Sequence, residues 1–188
     1  MSDLELITRA RHGDEAAWES LVSQYQAAAF RLAYLLMGDP DEAQDIAQEA
    51  FIRAFRALER FDAARPFRPW LLRITANLAR NQRRSIGRYI AALRRLVGAD
   101  PDLTSGAQED SHSQSQEAQA LWQAVQRLSL TDQQVVYLRY FMDLSEAEMA
   151  LALEIAPGTV KSRLHRALGR LRAVVETEFP MLREEQGA

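Results

Sequence analysis

Between Ile155 and Val175 the chain carries five basic residues and no acid. Lys161, Ser162, His165, Arg166 and Arg170 recur there at three- and four-residue steps, so a helix would present them on one side. Lysine and arginine donate to guanine O6 and N7, while serine and histidine can serve bases or phosphates. A second run is denser: residues 65–97 hold nine arginines and no acid. Within it Trp70, Asn77 and Asn81 are interleaved with arginines. Such a mixture can hold phosphates while aromatics and amides handle the unstacked bases of a single strand. Asn77 and Asn81 stand one helical turn apart, where asparagine gains nothing from helix propensity. A third set, Asp45, Gln48, Glu49, Ile52 and Arg53, forms a coherent face with an isoleucine among charges, which points to protein contact.

Catalysis has no comparable set. There is no cysteine, and His12, His112 and His165 lie far apart with no second ligand at helical spacing. No nucleophile–base pair or phosphate-binding loop is recognisable, so neither an enzyme nor a cofactor or metal is expected. The net charge of −3 conceals blocks. Residues 1–64 hold 12 acids against 6 bases, and residues 98–118 hold 5 acids and no base. Charge distributed this way favours localised polyanion contacts. No stretch approaches the roughly 18 apolar residues of a membrane helix, and the start, MSDLELITRARHGDE, is too charged for a signal peptide. A cytoplasmic protein without membrane insertion is expected.

The elements that must position these side chains are all helical. Asp14 caps a helix from Glu15 to Met37 with Gly38 as its stop, and its apolar face is Trp18, Leu21, Val22, Tyr25, Leu32, Leu35 and Leu36. Asp39, Pro40 and Glu42 open the next helix, whose core stripe is Ala43, Ile46, Ala47, Ala50, Ala54 and Leu58. A loop from Phe61 to Pro69 precedes a third helix, from Trp70 into the arginine run. Gly98–Gln116 is polar, acidic and rich in Ser, Gln, Gly and Asp, which reads as an interdomain linker. The fold class is therefore all-α: a first domain at 1–97, a flexible linker at 98–117 and a second domain at 118–188. In the second domain Leu121, Trp122, Val125 and Leu128 mark one helix. Thr131–Gln134 reads as a capping box with a Leu130–Val135 staple, and Ser145–Glu148 as another. A turn at Ala156-Pro157-Gly158 and a cap at Thr159 then start the last helix. Short helix, tight turn and basic helix is the helix-turn-helix order.

Three segments resemble the hallmarks of extracytoplasmic-function (group IV) sigma factors of bacterial RNA polymerase: Asp45–Phe55 (DIAQEAFIRAF), Trp70–Asn81, and Gly158–Ala167 (GTVKSRLHRA). They occur in that family's order, and the resemblance runs from about Leu4 to Arg172. It implies two helical domains, sigma regions 2 and 4, and an alternative sigma factor that directs promoter-specific initiation. Asp45, Gln48, Glu49, Phe51 and Ile52 are implied to dock on the β′ clamp helices of core RNA polymerase, whose β flap is a second partner. Phe67, Trp70, Asn77, Arg80, Asn81 and Arg84 are implied to serve the minus-ten element of promoter DNA. Thr159, Lys161, Ser162, His165, Arg166 and Arg170 are implied to serve the minus-thirty-five element. The resemblance also implies an anti-sigma factor and a linker threading the polymerase cleft. Two departures stand out: the loop carries both Pro66 and Pro69, and His165 stands where the family often has an aromatic residue. A competing reading is a helix-turn-helix regulator whose residues 1–97 sense a signal or partner, but that gives no reason for the Asp45–Phe55 face.

Overall fold

The computed structural model describes residues 1–97 and 113–179, with side chains at all of these but 87, 89–97 and 113–117. Every regular element among them is helical. Helix α1 (Asp3–Arg11) is absent from the periodicity reading because nine residues are too few to display one. What starts it is a reciprocal box: the Ser2 hydroxyl accepts from the Glu5 N–H at 3.3 Å, and the Glu5 carboxylate accepts from the Ser2 N–H at 2.9 Å.

Helices α2 (Glu15–Met37) and α3 (Pro40–Ala57) begin where their caps predict, and α2 ends where Gly38 predicts. Asp14 accepts from the Ala17 N–H at 3.1 Å, and Asp39 from the Glu42 N–H at 2.8 Å. Gly38 closes α2 in the left-handed region (φ 80°), a conformation that costs glycine little. A 3₁₀ turn, Leu58–Arg60, leads out of α3. Helix α4 (Phe67–Val97) starts three residues before the expected Trp70. Pro69 does not prevent this, since first-turn N–H groups have no intrahelical acceptor to lose. With 31 residues α4 is about 46 Å long.

In the second half, α5 (Ser113–Gln126) begins inside the segment read as linker, and residues 98–112 of that segment lie outside the described residues. Helix α6 (Leu130–Tyr140) is capped by Ser129, not Thr131. Ser129 accepts from the Asp132 N–H at 3.3 Å and donates to the Asp132 carboxylate at 2.8 Å, which starts the helix two residues before the Thr131–Gln134 box would. Helix α7 (Glu146–Leu153) has the expected Ser145–Glu148 box. Two hydrogen bonds from Ser145, its N–H at 2.9 Å and its hydroxyl at 2.7 Å, hold the Glu148 carboxyl below the usual range. Helix α8 (Pro157–Glu178) starts with Pro157 at its first position and Ala156 as cap. Gly158 is therefore inside the helix and Thr159 caps nothing; proline's fixed φ starts the helix three residues early. The turn is made instead by Glu154, in the left-handed region at φ 52°.

Packing divides α4 into three faces, as a 3.6-residue period requires. Phe67, Leu71 and Thr75 are buried, and Phe67 and Leu71 share a cluster with Leu6, Ile7, Leu21, Tyr25, Ala50 and Phe51 from α1–α3. A second face, Leu72, Ala76 and Ala79, belongs to a cluster that also holds Leu36 of α2 and Val136, Tyr137, Met142, Met149 and Val160 from beyond residue 113. The two halves thus share one continuous apolar core. Arg68 Nη2 donates to the Met142 carbonyl at 2.7 Å across this junction. Arg83 Nη1 donates to the Leu36 carbonyl at 2.8 Å and to Gln133 Oε1 at 3.4 Å. The third face of α4 carries Trp70, Arg73, Asn77, Asn81 and Arg84.

Candidate nucleic-acid and partner interfaces

On α8, Val160 and Ala167 are fully buried and Leu164 and Leu171 pack beside them, which turns the opposite side outward. Lys161, Ser162, His165 and Arg166 are exposed there, and Thr159 is half-buried. Ser162 Oγ donates to the Thr159 carbonyl at 3.0 Å and Arg166 Nε to the Ser162 carbonyl at 3.1 Å. Both donors can be redirected to a base edge without breaking the helix, because each makes a second, side-chain bond to a carbonyl whose ladder bond comes from the backbone N–H four residues on.

Arg170 is placed differently from its expected neighbours. Its Nη1 donates to both Asp132 oxygens, at 2.8 and 2.9 Å, and Ser129 donates to the same carboxylate at 2.8 Å. The Asp132 side chain is only 11% exposed. Arg170 therefore braces α8 against the start of α6. Together with Arg163 and Arg166 it lines a cleft of about 280 Å³ facing Ser129, Thr131 and Asp132.

The arginine-rich helix brings together part of its expected set. Trp70 is half-buried, with its ring 4.3 Å from Phe61. Asn77 and Arg80 are half-buried and hydrogen-bonded to each other, while Asn81 and Arg84 are exposed. Phe67 corrects the expectation. It is 0% exposed between Tyr25, Phe61 and Trp70, so it supports the site from the core and cannot meet a base. In its place the structure supplies a cavity of about 300 Å³ lined by Arg60, Phe61, Arg65, Trp70, Arg73 and, from the other half, Leu151. The sequence indicated this loop but not its pocket. The signal was two aromatics flanking a proline loop with arginines on both sides.

On α3, Asp45 and Gln48 are exposed and Glu49 pairs with Arg53 at 2.7 Å. Ile52 is 45% exposed and Phe55 53%, with the Phe55 ring 5.1 Å from Trp18. Phe51 is the second correction: it is 8% exposed and packs in the first-half core. One turn further on, Phe55 offers the exposed ring that Phe51 was expected to offer.

No helix among the described residues is long and apolar enough to cross a membrane. Two family models match the chain: sigma-70 region 2 over residues 21–89, and sigma-70 region 4 over residues 118–171. Helices α2–α4 and α5–α8 are thus the two halves of a sigma-70-type initiation factor. The ECF RNA polymerase sigma factor SigW of Bacillus subtilis is 34% identical over 176 residues, 88% of this chain and 92% of its own. The RNA polymerase sigma-H factor of Pseudomonas aeruginosa is 33% identical over 190 aligned positions, 97% of this chain and 96% of its own. The chain belongs to the extracytoplasmic-function sigma factors, which bind core RNA polymerase and direct promoter-specific initiation. The fold is also that of CnrH, solved in complex with the cytosolic domain of CnrY: TM-score 0.70, 24% identity, 94% of this chain and 98% of that one covered. RpoE of Bartonella quintana, solved with the anti-sigma factor NepR, gives TM-score 0.64 at 23% identity, covering 85% of this chain and 97% of that one.

Proposed function

We propose a division of labour among these surfaces within one sigma factor, with residues 1–97 acting as region 2 and 118–188 as region 4. The α3 face, with Asp45, Gln48 and Glu49 around exposed Ile52 and Phe55, docks on the β′ clamp helices. The third face of α4, with Trp70, Asn77, Arg80, Asn81 and Arg84, handles the unpaired minus-ten strand. Lys161, Ser162, His165 and Arg166 on α8 read the minus-thirty-five duplex, and Arg170 holds that helix in place. The observation that carries this is α3 itself. It buries Ala43, Ile46, Ala47, Ala50 and Ala54 on one side, yet exposes a large aliphatic and a large aromatic side chain on the other. A helix whose core is already complete has no internal use for such a surface.

The exposed Leu121, Tyr140 and Phe141 give the β flap an apolar contact on the second half. Both structural neighbours named above were solved with a partner chain, and the partner of RpoE is the anti-sigma factor NepR, which supports an anti-sigma factor for this chain as well. The protein acts in the cytoplasm and carries no catalytic role of its own. Photo-crosslinking tests the division: a photoreactive residue at Ile52 should label β′, and one at Lys161 should label promoter duplex, in reconstituted holoenzyme. Labelling of neither target overturns the assignment.

A further inference from the structure

The two walls of the cavity at Phe61 and Trp70 are held in different ways. Trp70 and Arg73 stand on α4, where the helical ladder fixes them. Arg60, Phe61, Arg65 and Pro66 stand at the end of the 3₁₀ turn and on the loop that follows it. Within that loop the bonds are local. The Ala64 N–H donates to the Asp62 carboxylate at 3.1 Å, and the Arg65 N–H to the Asp62 carbonyl at 2.9 Å. Bonds of this kind shape the turn itself but do not set where it lies on the domain.

The anchor comes from α1. Arg11, the last residue of that helix, donates from Nε to the Leu58 carbonyl at 3.0 Å and from Nη2 to the Phe61 carbonyl. These carbonyls close the 3₁₀ turn, and a helix end both leaves acceptors unpaired and favours a cation. A guanidinium suits the place because two nitrogens of one planar group meet two carbonyls at once. The Phe61 ring packs 4.3 Å from Trp70 and 5.9 Å from Phe67, so Arg11 holds from the backbone side the residue that the aromatics hold from the ring side.

Helix α1 is firm enough to serve. Leu6, Ile7 and Ala10 are buried in the first-half core. The Tyr25 hydroxyl donates to Asp3 Oδ2 at 2.6 Å, and Gln24 Nε2 to Asp3 Oδ1 at 3.2 Å. Arg11 does not itself line the cavity, and its Nε and Nη2 are both engaged by carbonyls, so it is placed to orient the wall and not to touch a base. It also precedes residues 21–89, the stretch that matches sigma-70 region 2.

We propose that Arg11 is a positioning residue for the minus-ten strand. Through the Leu58 and Phe61 carbonyls it sets the loop wall of the cavity against Trp70, so that an unstacked base meets a slot already formed. Without it the base must order the loop as it binds, and that ordering is subtracted from affinity. The role rests on the minus-ten reading made above, and it extends that site to a helix outside the matched region.

The test uses core polymerase reconstituted with the full chain. Its probe is a short fluorescein-labelled non-template strand carrying the minus-ten element of a promoter that the wild type transcribes, with a set of strands that each lack one base. For wild type, removing a base that the chain seats should cost about fivefold or more in affinity. Arg11→Ala should weaken binding of the intact strand and erase the penalty at one such position, while penalties elsewhere persist. Equal weakening on every strand, or an intact strand bound as tightly as by wild type, would overturn the positioning role. Arg11→Lys keeps the charge and stem but meets one carbonyl at a time, and it carries the same test if the alanine variant fails to fold: its loss should again be confined to strands that keep that base. A wild type indifferent to every missing base would remove the minus-ten reading beneath the proposal, whereas a sensitive wild type with an evenly weakened variant overturns the part given to Arg11 alone.

Discussion

Truncating Arg170 to alanine should weaken the fold of the second half and not its choice of promoter. The guanidinium meets both Asp132 oxygens at 2.8 and 2.9 Å, and the carboxylate is 11% exposed. A fully exposed ion pair contributes about 0.2–1 kcal/mol, whereas stranding a buried acceptor costs about 1–3 kcal/mol. Arg170 is itself 58% exposed, so water fills its place on truncation and the cost belongs at the low end of that range. Ser129 and the α6 N-terminus continue to stabilise the carboxylate, which limits the cost further. The sum is about 1 kcal/mol, equivalent to roughly 2–4 °C in the melting temperature of a 188-residue chain whose halves share one core. Equilibrium urea unfolding of the full chain, followed by circular dichroism, would give the value. A double-mutant cycle with Asp132→Asn isolates the pair and should return a coupling near 1 kcal/mol. A coupling below about 0.3 kcal/mol, or full stability combined with altered promoter choice, would refute the brace and make Arg170 a DNA contact.

Four further outcomes follow from the same geometry. Gln48→Ala with Glu49→Lys breaks only the exposed Glu49–Arg53 pair, worth about 0.3–0.5 kcal/mol, so stability should barely change while affinity for core polymerase, measured by anisotropy, falls. Phe51→Ala should cost about 3–5 kcal/mol of stability in a melt, and Phe55→Ala little, but the second should weaken polymerase binding and the first expose a cavity. Arg166→Ala should reduce use of promoters carrying the upstream element by the ~1–3 kcal/mol of a base-reading contact; in-vitro transcription on matched and scrambled upstream sequences checks it, and equal losses on both would make Arg166 a phosphate contact. The Glu148 carboxyl is held below its usual range in the folded state, so its contribution is present above about pH 4.5 and lost as the pH falls through the folded value. Acid unfolding of the second half should therefore lose a step in Glu148→Gln.

The elements were legible where a local rule decides them. Asp14, Gly38, Asp39 and Ser145 each mark a helix boundary within a few residues, and the structure uses all four. The misreadings occur where two local rules compete. Ser129 and Thr131 are both good caps, and only the partner of Asp132, Arg170 thirty-eight residues away, shows why the first serves. At α8, proline's preference for the first helical position overrides the glycine turn. The candidate site divides in the same way. An exposed polar run such as Lys161–Arg166 follows from helical period alone. Aromatics do not, since Phe51 and Phe55 are four residues apart on one helix, and which of them faces outward depends on where α1, α2 and α4 lie. The pocket at Phe61 and Trp70, and the seating of α7 beside it, depend on contacts between residues about eighty apart. No local pattern encodes those.

The most direct measurement of the central claim is transcription start-site mapping with purified core polymerase, with and without this chain, on sheared bacterial genomic DNA. The account predicts a discrete set of starts that appear only with the protein and share two sequence elements about 25 base pairs apart, one weakened by Arg166→Ala and the other by Asn81→Ala. Starts identical with and without the protein, or dependent starts sharing no such pair of elements, would contradict it.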